Sequence, residues 1–253
     1  MHRIMIFIAA ALALPVVARA QSDYISISVW NLPADPALIV QNPDVAATLG
    51  RVVDLGADRV HAARISETSA INITFYPASD DLETVLANVG QLRDATGGNP
   101  GFELLQVLQG PALPQVDATP ITSGLSYVLS SNGNAVSSAN GGCLQLNNSS
   151  GLACAGGEEH LSLSVWNVPA DPAVLAQDPN LAAQLQAFVD LGADRLYPIR
   201  VSDSSVAFAT FYPVTDALED VLAAASQARQ ATAGAPGFDL VEVIEARVIF
   251  TAD

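Results

Sequence analysis

The chain has 253 residues, with 26 acidic against 10 basic side chains, a net charge of −16 and no lysine. So acidic a surface repels phosphate backbones and anionic lipid, which argues against nucleic acid and against a peripheral membrane partner. Two cysteines and three histidines are too few ligands for an evident metal centre, and no P-loop, Gly-x-Gly-x-x-Gly, Gly-x-Ser-x-Gly or zinc motif marks a well-known enzyme class.

Residues 1–20 open with Met1-His2-Arg3, continue as an apolar run from Ile4 to Val17, and end in Ala18-Arg19-Ala20, a small-x-small cleavage pattern. This reads as a signal peptide, so the mature chain is expected to begin at Gln21 and to be exported, periplasmic or extracellular, without membrane contact once the signal is gone. The alternative, an uncleaved anchor, suffers from a run too short to span a bilayer comfortably.

Beyond that segment the chain is a duplication. Ser28-Val-Trp-Asn-Leu-Pro-Ala-Asp-Pro36 returns as Ser164-Val-Trp-Asn-Val-Pro-Ala-Asp-Pro172, 136 positions on, and roughly half the positions from Tyr24 to Pro111 are identical at that offset without a gap. Tyr24 to Trp30 alternates Ile25, Ile27, Val29 with Ser26, Ser28, Trp30, a strand with two unlike faces. Asp35 before Pro36 and Asn42 before Pro43 cap two helical turns, the second opening a helix that Gly56 ends. Arg59 to Ile65 and Ile71 to Pro77 read as a hairpin around Ser66 to Ser69. Asp80 with Glu83, repeated as Asp216 with Glu219, makes a capping-box pattern for a helix with Leu82, Val85, Leu86 and Val89 on one stripe, and Phe102 to Leu108 is the last strand. The order strand, helix, strand, strand, helix, strand is the ferredoxin-like βαββαβ unit, present twice, so the fold class is α+β.

The expected organisation is a signal peptide over 1–20, one ferredoxin-like repeat over 21–111, a Ser/Asn/Gly-rich connection over 112–159, and a second repeat over 160–253. The connection is longer than an ordinary loop and carries a plausible hairpin around Asn132-Gly133. It also holds both cysteines, Cys143 and Cys154, which in an exported chain are expected to form a disulfide.

Shared residues without an evident structural task are the candidates for ligand binding: Trp30, Asn31, Arg64 and Tyr76, with Trp166, Asn167, Arg200 and Tyr212. If Ile25, Ile27, Val29 and Ile71, Ile73, Phe75 face the helices, these candidates lie on or beside a mixed opposite face that something must cover. The cheapest cover is the other repeat, packed sheet to sheet in one monomer with an internal pseudo-twofold, or in a homodimer. Arg64 and Arg200 would then need an anion, either an acid such as Asp239 or Glu242 or a ligand carboxylate. Neither His61 nor His160 has a histidine in the other copy, so no symmetric histidine site exists.

The element order and the Gly56-Ala57 and Gly192-Ala193 steps after the first helix of each copy resemble the dimeric α+β barrel superfamily, in which ferredoxin-like units pair through their sheets. The resemblance implies a pseudo-dimeric barrel within one chain. Its members include cofactor-independent monooxygenases and haem-degrading enzymes that use an Asn, a Trp and a His; here Asn31 and Trp30 adjoin, but the histidine has no counterpart, and no catalytic residue carries over. The expected function is binding of a small, partly apolar or acidic ligand in an inter-repeat cavity, or an interaction scaffold, without cofactor. A cofactor-independent monooxygenase-like enzyme is the alternative.

Overall fold

The computed structural model describes residues 24–114, 116–117, 143–145, 152–154 and 159–253. The signal segment and the hairpin expected around Asn132-Gly133 lie outside the described residues. So do the side chains of Cys143 and Cys154.

The first repeat runs β1 (Tyr24–Asn31), α1 (Pro36–Ile39), α2 (Pro43–Asp54), β2 (Arg59–Arg64), β3 (Ser69–Tyr76), α3 (Leu82–Gly97) and β4 (Glu103–Pro111). Short strands β5 (Val116–Asp117), β6 (Cys143–Gln145) and β7 (Leu152–Cys154) follow. The second repeat is β8 (Glu159–Asn167), α4 (Pro172–Leu175), α5 (Pro179–Asp190), β9 (Arg195–Ser202), β10 (Ser205–Pro213), α6 (Leu218–Ala233) and β11 (Asp239–Ala252).

Local chemistry sets most of these boundaries. The Asp35 carboxylate accepts from Ala37 N at the start of α1, the Asn42 amide oxygen accepts from Asp44 N at the start of α2, and in both helices proline holds the first helical position. Helix α2 ends where Gly56, at φ 112°, lets its own N–H reach Val53 O at 2.8 Å and Ala57 N reach Val52 O at 3.2 Å, a pair of bonds that satisfies two terminal carbonyls. Gly192-Ala193 repeats both bonds, so the Gly-Ala step is a helix stop. The expected capping boxes do not form. Helix α3 starts at Leu82 behind Asp81, and α6 starts at Leu218 behind Ala217, neither with a side-chain cap. Glu83 and Glu219 instead sit in the first turn, where the helix dipole favours them.

Within each repeat the strands lie antiparallel in the ferredoxin-like order, β4-β1-β3-β2 and β11-β8-β10-β9. Strand β11 then continues past its own repeat to pair with β2, setting Val248 opposite Ala63 and Ala252 opposite Val60. The pseudo-symmetric seam joins Ala112 to Ile199 and Val116 to Leu196, with Leu113 N donating to Pro198 O at 2.9 Å. Eight long strands therefore close into an α+β barrel of the dimeric type, built within one chain. Ala112, Leu113 and β5, expected in the connection, lie instead along β9 in the barrel wall. Strands β6 and β7 pair with Cys143 opposite Cys154, and β7 also meets β11 at Thr251.

The barrel interior is the main core: Ile25, Ile27, Ile71, Ile73 and Phe75 meet Leu161, Leu163, Ala207, Ala209 and Phe211. The expected assignment of faces is therefore inverted. The isoleucine face points at the other repeat, and the face with Ser26, Ser28, Trp30, Thr74 and Tyr76 lies under its own helices. The reason is enclosure: a closed barrel surrounds its interior with strands on every side and has no room for solvated groups. A layer of helices is open at its edges and tolerates serine, threonine and arginine.

Candidate functional site

The duplicated nonapeptide builds the wall of a pocket. Ser28 and Trp30 leave β1 on the same face, two residues apart, and the Trp30 Nε1 donates to Ser28 Oγ at 3.0 Å. Trp166 donates to Ser164 Oγ at the same distance. Satisfying the indole N–H in this way lets each ring lie buried with only its hydrocarbon surface presented. Past the tryptophan the chain turns through Pro33, against which Gly101 packs so closely that a Cβ there would stand 2.6 Å from the proline Cβ. Gly101 has φ 83°, so both its space and its conformation require glycine.

Asp35 closes the motif. Besides capping α1, it takes Arg64 in a two-point pair, Nε to Oδ1 at 2.8 Å and Nη2 to Oδ2 at 2.9 Å. Asp171 and Arg200 repeat it at 2.8 Å for both bonds, and Arg200 also reaches Asp203. The anion for each arginine is thus an aspartate of its own repeat, 29 residues upstream, rather than Asp239 or Glu242. The hydrogen bond from Arg200, then that from Ala173 N, holds the Asp171 carboxyl down at about 2, and Asp35 is lowered by the same partners in its own repeat.

Between the mixed sheet face and the helices each repeat encloses an apolar pocket, with a cavity volume of about 120 Å³ in the first repeat and about 240 Å³ in the second. Trp30 and Trp166 form part of the linings, with Phe102 and Phe238 beside them. Each pocket is completed from across the seam: Ile249 enters the wall of the first, and Leu113 and Pro114 enter that of the second. The linings differ in kind: Val89 and Leu92 of α3 line the first pocket and have Ala225 and Ala228 as counterparts on α6, whereas Val52 and Asn72 of the first give way to Phe188 and Phe208 in the second.

One ionisable side chain lines each pocket, Arg93 in the first and Arg229 in the second. Arg93 Nη2 donates to Ser26 Oγ at 3.0 Å. Arg229, buried to 6% exposure, donates from Nη1 to Ser162 Oγ at 2.9 Å and from Nη2 to Glu245 Oε1 at 3.0 Å. Glu245 in turn lies 2.8 Å from His160 Nε2. These arginines were not among the sequence candidates. Their signal was there: Arg93 stands four residues after Val89 on the apolar stripe of α3, where a helix does not place a cation without a task, and the duplication keeps it.

The other candidates lie elsewhere. Asn31 donates to Glu103 Oε2 at 3.1 Å and accepts from Ser69 at 3.2 Å, and Asn167 bridges Asp239 and Ser205 in the same way, so both clamp strand ends. Tyr76 and Tyr212 are fully buried under the helices outside both pocket linings, and their hydroxyls have no hydrogen-bond partner. Burial pushes both phenols up to about 12, against the opposing charge of Arg93 or Arg229. Trp30, Arg64 and Tyr76 therefore do not share a cavity with Trp166, Arg200 and Tyr212.

His61 lies in the barrel interior between the rings of Phe75 and Phe211, at centroid distances of 5.7 and 5.1 Å, with Nδ1 2.8 Å from Thr251 Oγ1. Burial, and then the charges of Arg195 and Arg59, bring it down to about 3, so the ring is neutral at pH 7. Among the described residues no group of three or more His, Cys, Asp or Glu side chains could hold a metal ion.

No protein-family model matches the chain, and no curated protein sequence matches it. Among solved structures it is similar to a candidate monooxygenase from Fusobacterium nucleatum subsp. nucleatum, at 10% identity over 92% of this chain and 94% of that one, with a TM-score of 0.47. It is also similar to a chlorite dismutase from Candidatus Nitrospira defluvii, at 10% identity over 91% and 92% with a TM-score of 0.43. An anthrone oxidase-like protein shows 12% identity over 92% and 94% with a TM-score of 0.41.

Proposed function

We propose that the protein is an exported small-molecule binder with two apolar pockets, one beneath the helices of each repeat. The observation that carries this reading is the second pocket: about 240 Å³, walled by Trp166, Phe188, Phe208 and Phe238, with an indole whose one polar atom is satisfied internally. An apolar cavity of roughly 150 Å³ takes up benzene, so this one has room for a single-ring or small two-ring compound. The expected cavity between the repeats is replaced by two cavities within them, because the inter-repeat space is filled core.

Binding is favoured over turnover by the linings themselves. Among the described residues each carries one arginine and no carboxylate or imidazole that could take up a substrate proton. The test is titration of the two single-tryptophan variants, Trp30→Phe and Trp166→Phe, with toluene and naphthalene while following emission of the remaining indole. A saturable change is expected in the variant that retains Trp166. No saturable change in either, up to the solubility of the probes, overturns the reading.

A further inference from the structure

The two pockets are copies of one design that differ at a single charge. In the second repeat the Arg229 guanidinium is neutralised by Glu245, whose Oε1 accepts from both Arg229 and Ser162. In the first repeat the residue at the Glu245 position is Gln109, and among the described residues Arg93 has no carboxylate partner. It donates instead to Ser26, which is buried at 1% exposure. A guanidinium carries five N–H donors in a planar fork matched to a carboxylate, and holding one half-buried against an apolar wall without an anion is unfavourable. The second repeat shows the charge this position calls for: Glu245 neutralises Arg229 from outside the pocket lining, and with Gln109 in its place the Arg93 charge is left to the pocket that it lines.

We infer that the first pocket takes a small monocarboxylate with an apolar tail, the carboxylate on Arg93, which Ser26 holds in place from behind, and the tail against Trp30, while the second takes an uncharged apolar molecule. This rests on the reading of the pockets as ligand sites and adds the charge that separates them. The volume of about 120 Å³ limits the ligand to a short chain or one small ring. On a chain of net charge −16 a cationic apolar pocket also selects one anion among many surfaces that repel it.

The test uses Trp166→Phe, in which Trp30 alone reports, titrated with pentanoate and with its uncharged isostere pentanamide at pH 7. Pentanoate should bind about tenfold more tightly. Gln109→Glu, which installs the carboxylate that the second repeat already holds, should erase that preference, and Arg93→Gln should erase it from the other side. Should Arg93→Gln fail to fold, the Gln109→Glu result decides alone. Equal affinities for the two compounds, or a preference that survives Gln109→Glu, overturn the inference and leave the pocket standing. If neither compound binds, both the inference and the reading of this pocket as a ligand site fall.

Discussion

Gly110 lies so close to Arg200 that a Cβ on the glycine would stand 1.8 Å from the arginine carbonyl oxygen. The two residues face each other where β4 of the first repeat meets β9 of the second, so the contact marks the seam at which the barrel closes. At the symmetric seam the same position is Ala246, buried at 2% exposure, and β11 pairs with β2 in a longer ladder. Proline explains the difference: Pro111, Pro114 and Pro198 remove donors from the first seam, which is instead held by close approach. Gly110→Ala should therefore cost about 1–3 kcal/mol in urea unfolding, as overpacking against a fixed backbone does. A midpoint unchanged from the parent would mean that this seam stands open in solution.

His61 should make stability fall as pH drops. An unfolded histidine takes its proton near pH 6.5, whereas the buried ring holds out to about 3. Between these values the unfolded chain binds the extra proton, so the contribution is whole above pH 6.5 and is lost progressively toward pH 3, by about 1.4 kcal/mol per pH unit at most. His61→Tyr, which places there the residue of the other repeat, Tyr197, should remove that part of the slope. Parent and variant are compared by urea midpoints at pH 7, 5 and 4, and parallel curves would show that the folded ring is open to protons.

Element order, the proline-capped turns and the duplication were legible in the sequence because each rests on local chemistry. Three features were not. The faces of β1 and β3 were inverted, since alternation shows that two faces differ but not which is the more enclosed, and only closure of the barrel decides that. The partner of Arg64 was hidden because Asp35 already had local employment as a helix cap, and one carboxylate here does both tasks. The pairing of Ala112, Leu113 and Val116 with β9 was masked by Pro111 and Pro114, which read as breaks and sit instead at the sparsely bonded seam, where lost donors are tolerated.

The Asp171–Arg200 pair acts at lower pH than His61. An unfolded aspartate titrates near 4, and the folded carboxyl at about 2, so the stabilisation is complete above pH 4 and is lost as pH falls from there toward 2. Asp171→Asn should flatten the parent's loss of stability between pH 4 and 2 and leave its behaviour between pH 7 and 5 unchanged. Added salt should weaken the effect, because the pair is partly exposed. A variant that loses stability over pH 4 to 2 as steeply as the parent would show that the pair is not formed in solution.

Cys143 and Cys154 stand opposite each other in the β6–β7 ladder, which supports the disulfide expected from the sequence. Closing that loop would stabilise the chain by roughly 3 kcal/mol on the chain-entropy model. Protein collected after export should begin at Gln21, show a mass two hydrogen atoms below the reduced value, and bind no alkylating reagent without reductant. A mass that retains residues 1–20 would restore the anchor, and labelling of both thiols would remove the bridge.

Trp30 and Trp166 test the inverted faces directly. Were they stacked in a shared cavity, the loss of one would loosen the other, and Trp30→Ala with Trp166→Ala would depart from additivity by more than about 0.5 kcal/mol. They lie instead in pockets on opposite flanks of a filled barrel, each ring held by its own serine and its own helix pair. Each truncation alone should cost about 3–5 kcal/mol, since a buried indole leaves a cavity that the surrounding strands cannot close. The cost should be smaller in the second repeat, where Trp166 already borders the larger void and gives up fewer contacts. Denaturant unfolding of both single variants and the double variant checks this, and strong coupling between the two would return the tryptophans to a common site.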